Sequence, residues 1–246
     1  MNEIAVIIPA YNEELRLLPT LIDVHDFLTK TVSSFEIIVV NDGSSDNTAT
    51  LVKQFVQTHV NVSLIDNKKN SGKGFAIRQG VLKAQANLIL IDDADGSSPI
   101  TELPKLLASL MTGNDIAIGS RAKPDTSRHV EALTYRKFIG RIYSLIINSL
   151  LLPGFYDTQC GFKLYKQEVA KQIFSFSTIN GYSFDIETLF LAKQLKYRID
   201  EIAINWHNVE GSKVNIITDS VKMLFETIKI KLKYQCGSYN LKGIIK

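Results

Sequence analysis

Short apolar runs punctuate the first half of this chain at regular intervals. IAVIIP (4–9), EIIVVN (36–41), VSLID (62–66), LILID (88–92) and DIAIG (115–119) are rich in β-branched and aliphatic residues and predict strands. The segments between the early runs have the length and apolar spacing of helices. Strand and helix patterns in alternation predict an α/β fold: a Rossmann-like, mostly parallel central sheet with helices on both faces. In open sheets of this kind ligands bind beyond the carboxyl ends of the strands. The first, second and fourth runs continue into PAYNEE, NDGSSDNT and DDADGSSP, so polar and acidic residues gather where that rule places a site.

Beyond DIAIGSR the pattern changes. Residues 134–152, TYRKFIGRIYSLIINSLLL, read as a helix with Arg136, Lys137 and Arg141 in its first half and an apolar second half. GFYDTQCGFKLY (154–165) reads as a turn-rich connection, QEVAKQIFSF and FDIETLFLAKQLK as helices, and IDEIAINW (199–206) as a further strand. The stretch 216–234, IITDSVKMLFETIKIKLKY, has apolar residues at helical spacing with lysines on the other side. No Pro/Gly/Ser linker is long enough to mark a boundary, which predicts a single domain.

Composition bounds the setting. With 246 residues, 45% of them hydrophobic, the chain can bury one sizeable core. Cys160 and Cys236 lie far apart without CxxC spacing, which argues against a disulfide framework and a zinc site and fits a reducing cytosol. The opening MNEIAVIIPAYNEE has no basic segment before its short apolar run, and no apolar stretch reaches the ~20 residues that span a bilayer. The expectation is a cytoplasmic chain, soluble or resting on a membrane. A net charge of +3 without an aromatic-rich basic motif speaks against nucleic acid.

NLILIDDADGSSP (87–99) carries the sharpest chemical signal. Leu88 to Ile91 read as a strand buried on both faces, and Asp92, Asp93 and Asp95 follow within four positions. Carboxylates so close repel one another unless a positive charge lies between them, and a divalent cation supplies one. Asp, Gly, Ser and Pro are also ordinary turn residues, so the stretch alone reads equally as a solvated acidic turn. NSGKGFAIRQG (70–80) lacks the spacing, and the Ser or Thr after lysine, that a P-loop needs, which excludes an NTPase of that type.

In this order, PAYNEE, VVNDGSSDNT, DDADGSSP and GSR (119–121) resemble the catalytic domain of glycosyltransferase family 2, with its GT-A fold. DTQCGFKLY, FDIE and W-x-x-x-E-G-S-K (Trp206, Glu210 to Lys213) are similar to the dolichyl-phosphate β-glucosyltransferase branch, with polyprenyl-phosphate mannose synthases as near relatives. Each motif is weak alone; their order and spacing over roughly residues 4–235 carry the resemblance. It implies one GT-A domain in which about 1–122 binds the nucleotide sugar, about 123–215 receives the acceptor and about 216–246 forms an amphipathic tail.

A nucleotide sugar departs as a diphosphate, and a hard cation such as Mg²⁺ or Mn²⁺ neutralises the charge that develops on it. Asp93 and Asp95 form a D-x-D pair whose side chains, two apart in an extended segment, point the same way. The resemblance implies Asp95 as the firm metal ligand and Asp93 as shared between metal and nucleotide. Asp92 is left to support the turn, and Ser97 to a weaker contact where mannose synthases often carry glutamine. The resemblance also implies that Asp42 accepts a hydrogen bond from the base, and that Pro9, Tyr11 and Glu13 contact the nucleoside. Asp42 beside Gly43 also reads as a turn residue, Glu13 as a first-turn helix charge, and Asp46 as a helix N-cap. Lys73 and Arg78 divide between the nucleotide and plain helix surface. Arg121, at a strand end, suits a forked grip on a phosphate.

For a lipid-phosphate acceptor the chain needs cations for the head group and an amphipathic surface. Arg128, His129, Arg136, Lys137 and Arg141 offer the first and the apolar stretch 142–152 the second, with a core helix as the alternative. By resemblance Lys213, aided by Ser212, is a further phosphate contact. A phosphate monoester is largely dianionic near neutral pH, its second pKa being ~6, so the demand for a base is weak. Asp157 is the favoured acceptor-side catalytic residue, as base or orienter, while Asp185 and Glu187, at a helix start, divide between function and capping. His25, His59 and His207 read as surface or packing residues.

The resulting expectation is an inverting, metal-dependent transferase that moves a hexose, glucose from UDP-glucose, onto a polyprenyl or dolichyl phosphate at the cytoplasmic face of a membrane. Arg121 and the D-x-D metal would hold the diphosphate. The alternatives are a GDP-mannose-dependent mannose synthase, a soluble transferase acting on a sugar or protein hydroxyl with Asp157 or Glu187 as a true base, and a nucleotide-sugar-binding protein without turnover. Eukaryotic glucosyltransferases of this branch carry N-terminal transmembrane helices that this sequence lacks, so peripheral attachment or a separate membrane partner is expected.

Overall fold

The computed structural model describes residues 2–126, 129–130, 143–209 and 216–241. Seven strands form one sheet: β1 (Ile4–Ala10), β2 (Phe35–Asp42), β3 (Val62–Asn67), β4 (Leu88–Ile91), β5 (Ile116–Ser120), β6 (Lys163–Lys166) and β7 (Ile199–Ala203), in the order β3-β2-β1-β4-β6-β5-β7. Pairing is parallel throughout except at β6, which runs antiparallel to both β4 and β5. The helices are α1 (Leu17–Thr31), α2 (Thr48–Thr58), α3 (Lys73–Lys83), α4 (Leu103–Met111), α5 (helical residues 143–150), α6 (Gln167–Phe176), α7 (Phe184–Gln194) and α8 (Ile216–Gln235). The mostly parallel α/β sheet that the apolar runs predict is therefore present.

The runs are continuous because the strands are covered on both sides, and their period-two alternation sorts each strand between two cores. Ala5, Ile7, Ile38, Val40, Ile89 and Ile91 pack with α3, α6 and α7 on one face. Val6, Ile8, Ile37, Val39 and Leu90 pack with α1 and α4 on the other.

One strand escapes the sequence pattern. The segment read as a turn-rich connection contains β6, whose four residues KLYK are too short and too lysine-rich to register as a strand. Leu164 is nonetheless fully buried, paired with Leu90 on one side and Ala117 on the other. Because β6 runs backwards, its amino end lies where β4 and β5 end, and it brings residues 157–163 to the carboxyl edge of the sheet. The strand predicted over 199–206 is shorter, ending at Ala203, and Trp206 makes an isolated bridge to Val130 instead.

The apolar stretch expected to face a bilayer turns largely inward. Ile147, Leu151 and Leu152 are buried with the α6–α7 core and Leu150 packs against it, leaving Leu145 exposed. Replacing Leu164 by alanine empties a site enclosed on all sides, and urea unfolding should show a loss of about 2–5 kcal/mol. A change below about 1 kcal/mol would mean that β6 is not an integral strand.

Candidate active site

Four chain segments converge beyond the carboxyl ends of β1, β2, β4 and β5. β4 releases its chain gradually: the Asp92 N–H still donates to the Ile7 carbonyl at 3.0 Å, and the next three residues turn across the edge. Lys73 Nζ, from the first residue of α3, lies 2.6 Å from Asp93 Oδ1. This ion pair is the contact that the Asp93 Oδ1 oxygen makes. Burial pushes the Asp93 carboxyl up, but Lys73, Lys163 and Arg121 outweigh it and hold the group below its ordinary range. Lys73 is driven the opposite way: despite burial, Asp93, Asp185 and Asp95 keep it protonated.

Asp42 sets where α3 begins. Its carboxylate accepts the N–H groups of Ser71, at 3.0 and 3.1 Å, and of Gly72 at 2.7 Å. Gly72 has φ +106°, and a Cβ there would meet the Asn180 carbonyl at 2.4 Å, so glycine is needed for the turn that aims Lys73. Asp42 thus supports the loop under the site, at the place where the resemblance puts the nucleoside base.

Asp95 accepts the Ser97 N–H at 3.0 Å and lies 3.8 Å from Arg16. Arg16 is itself gripped by Glu13 through two bonds of 2.7 and 2.6 Å, so Glu13 works through Arg16. Gly161 passes so close to Asp93 that a Cβ would fall 2.2 Å from Oδ2. Asp92 is buried with an unpartnered Oδ1, and burial together with Asp93 and Asp95 pushes its carboxyl well above the usual range.

On the far side, Arg121 holds Asp157. Its Nε and Nη2 donate at 2.6 and 3.0 Å and its backbone N–H donates at 3.1 Å, while the guanidinium lies 5.6 Å from the Trp206 ring centre. Glu201 of β7 accepts the N–H groups of Tyr156 and Asp157 at 2.9 and 2.7 Å, fixing the loop. Burial raises the Asp157 carboxyl, but Arg121 overrides it and brings the pKa down to about 2. Between the two halves lies a buried pair, Lys163 to Asp185 at 2.5 Å. Burial pushes Asp185 upward in spite of that lysine.

The remaining candidates separate by position. Pro9 is buried at the end of β1 and Tyr11 is exposed beside it. Asp46 accepts the Thr48 N–H at 3.0 Å at the start of α2. Arg78 leaves the site and ties α3 to Ser177 and Asn180 at 3.2 and 2.6 Å. Glu187 accepts from Thr178, Ile179 and Tyr239, a structural role. Ser97 accepts the His207 N–H at its carbonyl, and His129 donates its N–H to Asn205. His25 and His59 pack against Phe55. Arg128, Arg136, Lys137, Arg141, Ser212 and Lys213 lie outside the described residues. Lys163 and Glu201 escape sequence reading, because KLYK and IDEIA each carry two charged residues and the pattern does not say which of them serves the site.

The donor set fits a hard divalent cation. Asp93 and Asp95 lie two residues apart at one edge, where Asp93 Oδ1 is paired with Lys73 and the neighbouring Asp92 Oδ1 has no hydrogen-bond partner. Among the described residues no group of three or more His, Cys, Asp or Glu side chains could hold an ion. A Mg²⁺-type site does not require such a group, since one or two carboxylates share the ion with substrate phosphates and water.

A mostly parallel sheet whose carboxyl edge carries a D-x-D pair ringed by lysine and arginine defines a GT-A glycosyltransferase. Residues 5–174 match Glycosyl transferase family 2, and the chain belongs to that family. It is 34% identical over 255 residues to a dolichyl-phosphate beta-glucosyltransferase of Dictyostelium discoideum, covering 98% of this chain and 77% of that protein. The enzyme of the same name from Saccharomyces cerevisiae is 35% identical over 257 residues, covering 96% and 76%. That from Homo sapiens is 33% identical over 256 residues, covering 98% and 78%. Among solved structures, mannosyl-3-phosphoglycerate synthase from Rubrobacter xylanophilus superposes with a TM-score of 0.69 at 14% identity, covering 100% of this chain and 77% of that one. Glucosyl-3-phosphoglycerate synthase from Mycobacterium tuberculosis, in complex with Mn²⁺, uridine-diphosphate and glucosyl-3-phosphoglycerate, gives 0.67 at 17%, covering 96% and 80%. These likenesses show the shared fold.

Two outcomes are expected. Gly161→Ala should displace Asp93 and weaken Mn²⁺ binding, read by calorimetry, about tenfold or more with an unchanged circular dichroism spectrum. Asp157→Asn should destabilise the fold in a pH-dependent way. A carboxyl held at about 2 in the folded state contributes stability that is present above its unfolded pKa and lost as pH falls through the folded one. The gap between parent and variant should be on the order of 2 kcal/mol above pH ~4 and should shrink below it. A gap independent of pH would mean that the ion pair is not its source.

Proposed function

We propose that the chain transfers glucose, with inversion, from UDP-glucose to the phosphate of a dolichyl or other polyprenyl phosphate. The observation that carries the choice of acceptor is the condition of the carboxylates around the site. Asp157 is locked ionised by Arg121, Asp185 is sealed against Lys163, and Glu187 accepts four hydrogen bonds. Among these three, none stands ready to take a proton from a hydroxyl. A phosphate monoester, largely dianionic at neutral pH, needs none taken. The names of the relatives support the same acceptor and sugar.

In this reading an oxygen of the lipid phosphate attacks C1 of glucose, and the bond from C1 to the β-phosphate oxygen breaks, its electron pair leaving on the nucleoside diphosphate. Asp93 and Asp95 would hold Mg²⁺ or Mn²⁺, which when bound offsets the charge developing on that diphosphate. Lys73 supplies a second, permanently charged group at the same edge. Arg121, pinned against Trp206, presents a fixed guanidinium to the donor, and Asp157 orients it. Pro9, Tyr11, Glu13 and Asp42 border the nucleoside, while Arg128, Arg136, Ser212 and Lys213 are assigned to the acceptor phosphate. The enzyme works at the cytoplasmic face of a membrane as a peripheral protein, alone or with a membrane partner. Among the described residues no helix is long and apolar enough to cross a bilayer.

The test is a donor panel with Mg²⁺ or Mn²⁺ and a short polyprenyl phosphate, scored for lipid-linked sugar. UDP-glucose should give product; product from GDP-mannose alone would replace the donor, and transfer to a sugar hydroxyl but not to phosphate would replace the acceptor. Asp95→Asn keeps the shape of the site and removes a charge from it, so transfer should fall about 100-fold or more while the thermal unfolding midpoint stays near that of the parent.

A further inference from the structure

We infer that the outward face of α8 is the surface by which this protein rests on an anionic bilayer; the inference builds on the lipid-phosphate reading and gives that acceptor its approach. The sequence pattern placed apolar residues on one side of this helix and lysines on the other. The structure shows two apolar sides. Met223, Thr227 and Ile230 are buried against the body, and Tyr234 meets Phe190 edge to face. Diametrically opposite, Val221, Phe225, Ile228 and Leu232 are 52%, 69%, 44% and 54% exposed. Their spacing of four, three and four makes one stripe about 16 Å long at 1.5 Å per residue.

The charges around this stripe are sorted. Lys222 and Lys229 flank it on one side and Lys231 on the other, all exposed. The acids of the helix, Asp219 and Glu226, are turned toward the body and half-buried, with Glu226 lying against Gly181. Lys233 is engaged with Thr178. An outward face of four apolar side chains on which the only charges are lysines fits a helix lying in the headgroup layer. A second copy docking through the same stripe would bring lysines against lysines with no acid between them. An anionic lipid surface accepts both the stripe and its edges.

The placement also connects to the site. The inner face of α8 touches the loop that carries Asp157, where Gln159 Nε2 lies 3.9 Å from Met223 Sδ, and it is tied to the start of α7, where Ser183 Oγ reaches the Met223 carbonyl at 3.4 Å. A helix resting in the headgroups would therefore hold the Asp157–Arg121 side of the edge close to the plane in which a lipid phosphate lies.

Sedimentation with phosphatidylcholine vesicles, with and without phosphatidylserine and over a series of salt concentrations, tests the inference. The parent should bind the anionic vesicles and lose them as salt rises. The double variant Phe225→Asp, Leu232→Asp should bind about tenfold less or weaker still, and Lys222→Gln, Lys229→Gln, Lys231→Gln should lose the preference for phosphatidylserine. All five positions are exposed, so circular dichroism and transfer to a short, water-soluble prenyl phosphate should be unchanged. Vesicle binding by the double variant equal to that of the parent overturns the inference. So does a concentration-dependent dimer that Phe225→Asp breaks, which would identify a second copy as the occupant. If the parent fails to glycosylate the soluble phosphate, the proposed reaction falls while the vesicle result stands on its own.

Discussion

Asp92, Asp93 and Asp95 leave the end of one strand within four residues, and their mutual repulsion has to be met from elsewhere in the fold. At an effective dielectric of 20, two unit charges about 4 Å apart interact by about 4 kcal/mol, so an uncompensated trio would prise the edge open. The compensation comes from four separate elements. Lys73 arrives from α3, Lys163 from β6, Arg121 from the end of β5, and Arg16 from the turn before α1. Asp92, which none of them reaches closely, takes the other route: its carboxyl is pushed up toward the neutral form. The site is thus a charge balance distributed over half the chain, and that balance is also what a cation and a diphosphate would join.

The topology makes this convergence possible. A wholly parallel sheet would carry residues 157–163 to the opposite edge, or require another crossover to return them. By running antiparallel between β4 and β5, the short strand β6 delivers Lys163, Gly161 and Asp157 to the edge where the D-x-D pair lies. Each is then adjusted locally. Gly161 leaves room for the Asp93 carboxylate, Glu201 pins the backbone of Asp157, and Trp206 backs the guanidinium of Arg121. The buried Lys163–Asp185 pair fixes α7 to this strand; in such surroundings its value lies in orientation, since desolvation consumes much of the attraction between the two charges.

The parallel part of the fold was legible because its strands are buried on both faces and are continuous apolar runs. The D-x-D pair and Arg121 were legible because charged residues at strand ends stand out against those runs. What was illegible was whatever depends on pairing across long sequence separation. β6 contains two lysines in four residues, and only the burial imposed by its neighbours makes KLYK a strand. Asp42 reads as a turn residue or a nucleoside contact, and neither reading foretells that its carboxylate grips a loop 29 and 30 positions further on. The helical period of 216–234 is legible, and the second apolar side, buried against the body through Met223 and Ile230, is not. With apolar residues on two opposite sides, periodicity alone cannot say which side meets the body.

The arrangement of charge also explains why the net value of +3 says so little about this molecule. Around the site, carboxylates and cations are drawn into pairs that leave each other few alternatives, so an acidic group such as Asp157 is spent on orientation and is withdrawn from proton transfer. Along α8 the sorting is reversed: the acids turn inward and the lysines of the outer face stay exposed around an apolar stripe. The two patterns answer one chemical demand. An acceptor that arrives already ionised needs no base from the protein, but it has to be reached at a surface where its apolar tail remains, and a cationic, half-apolar helix next to the Asp157 loop is a physical means of reaching it.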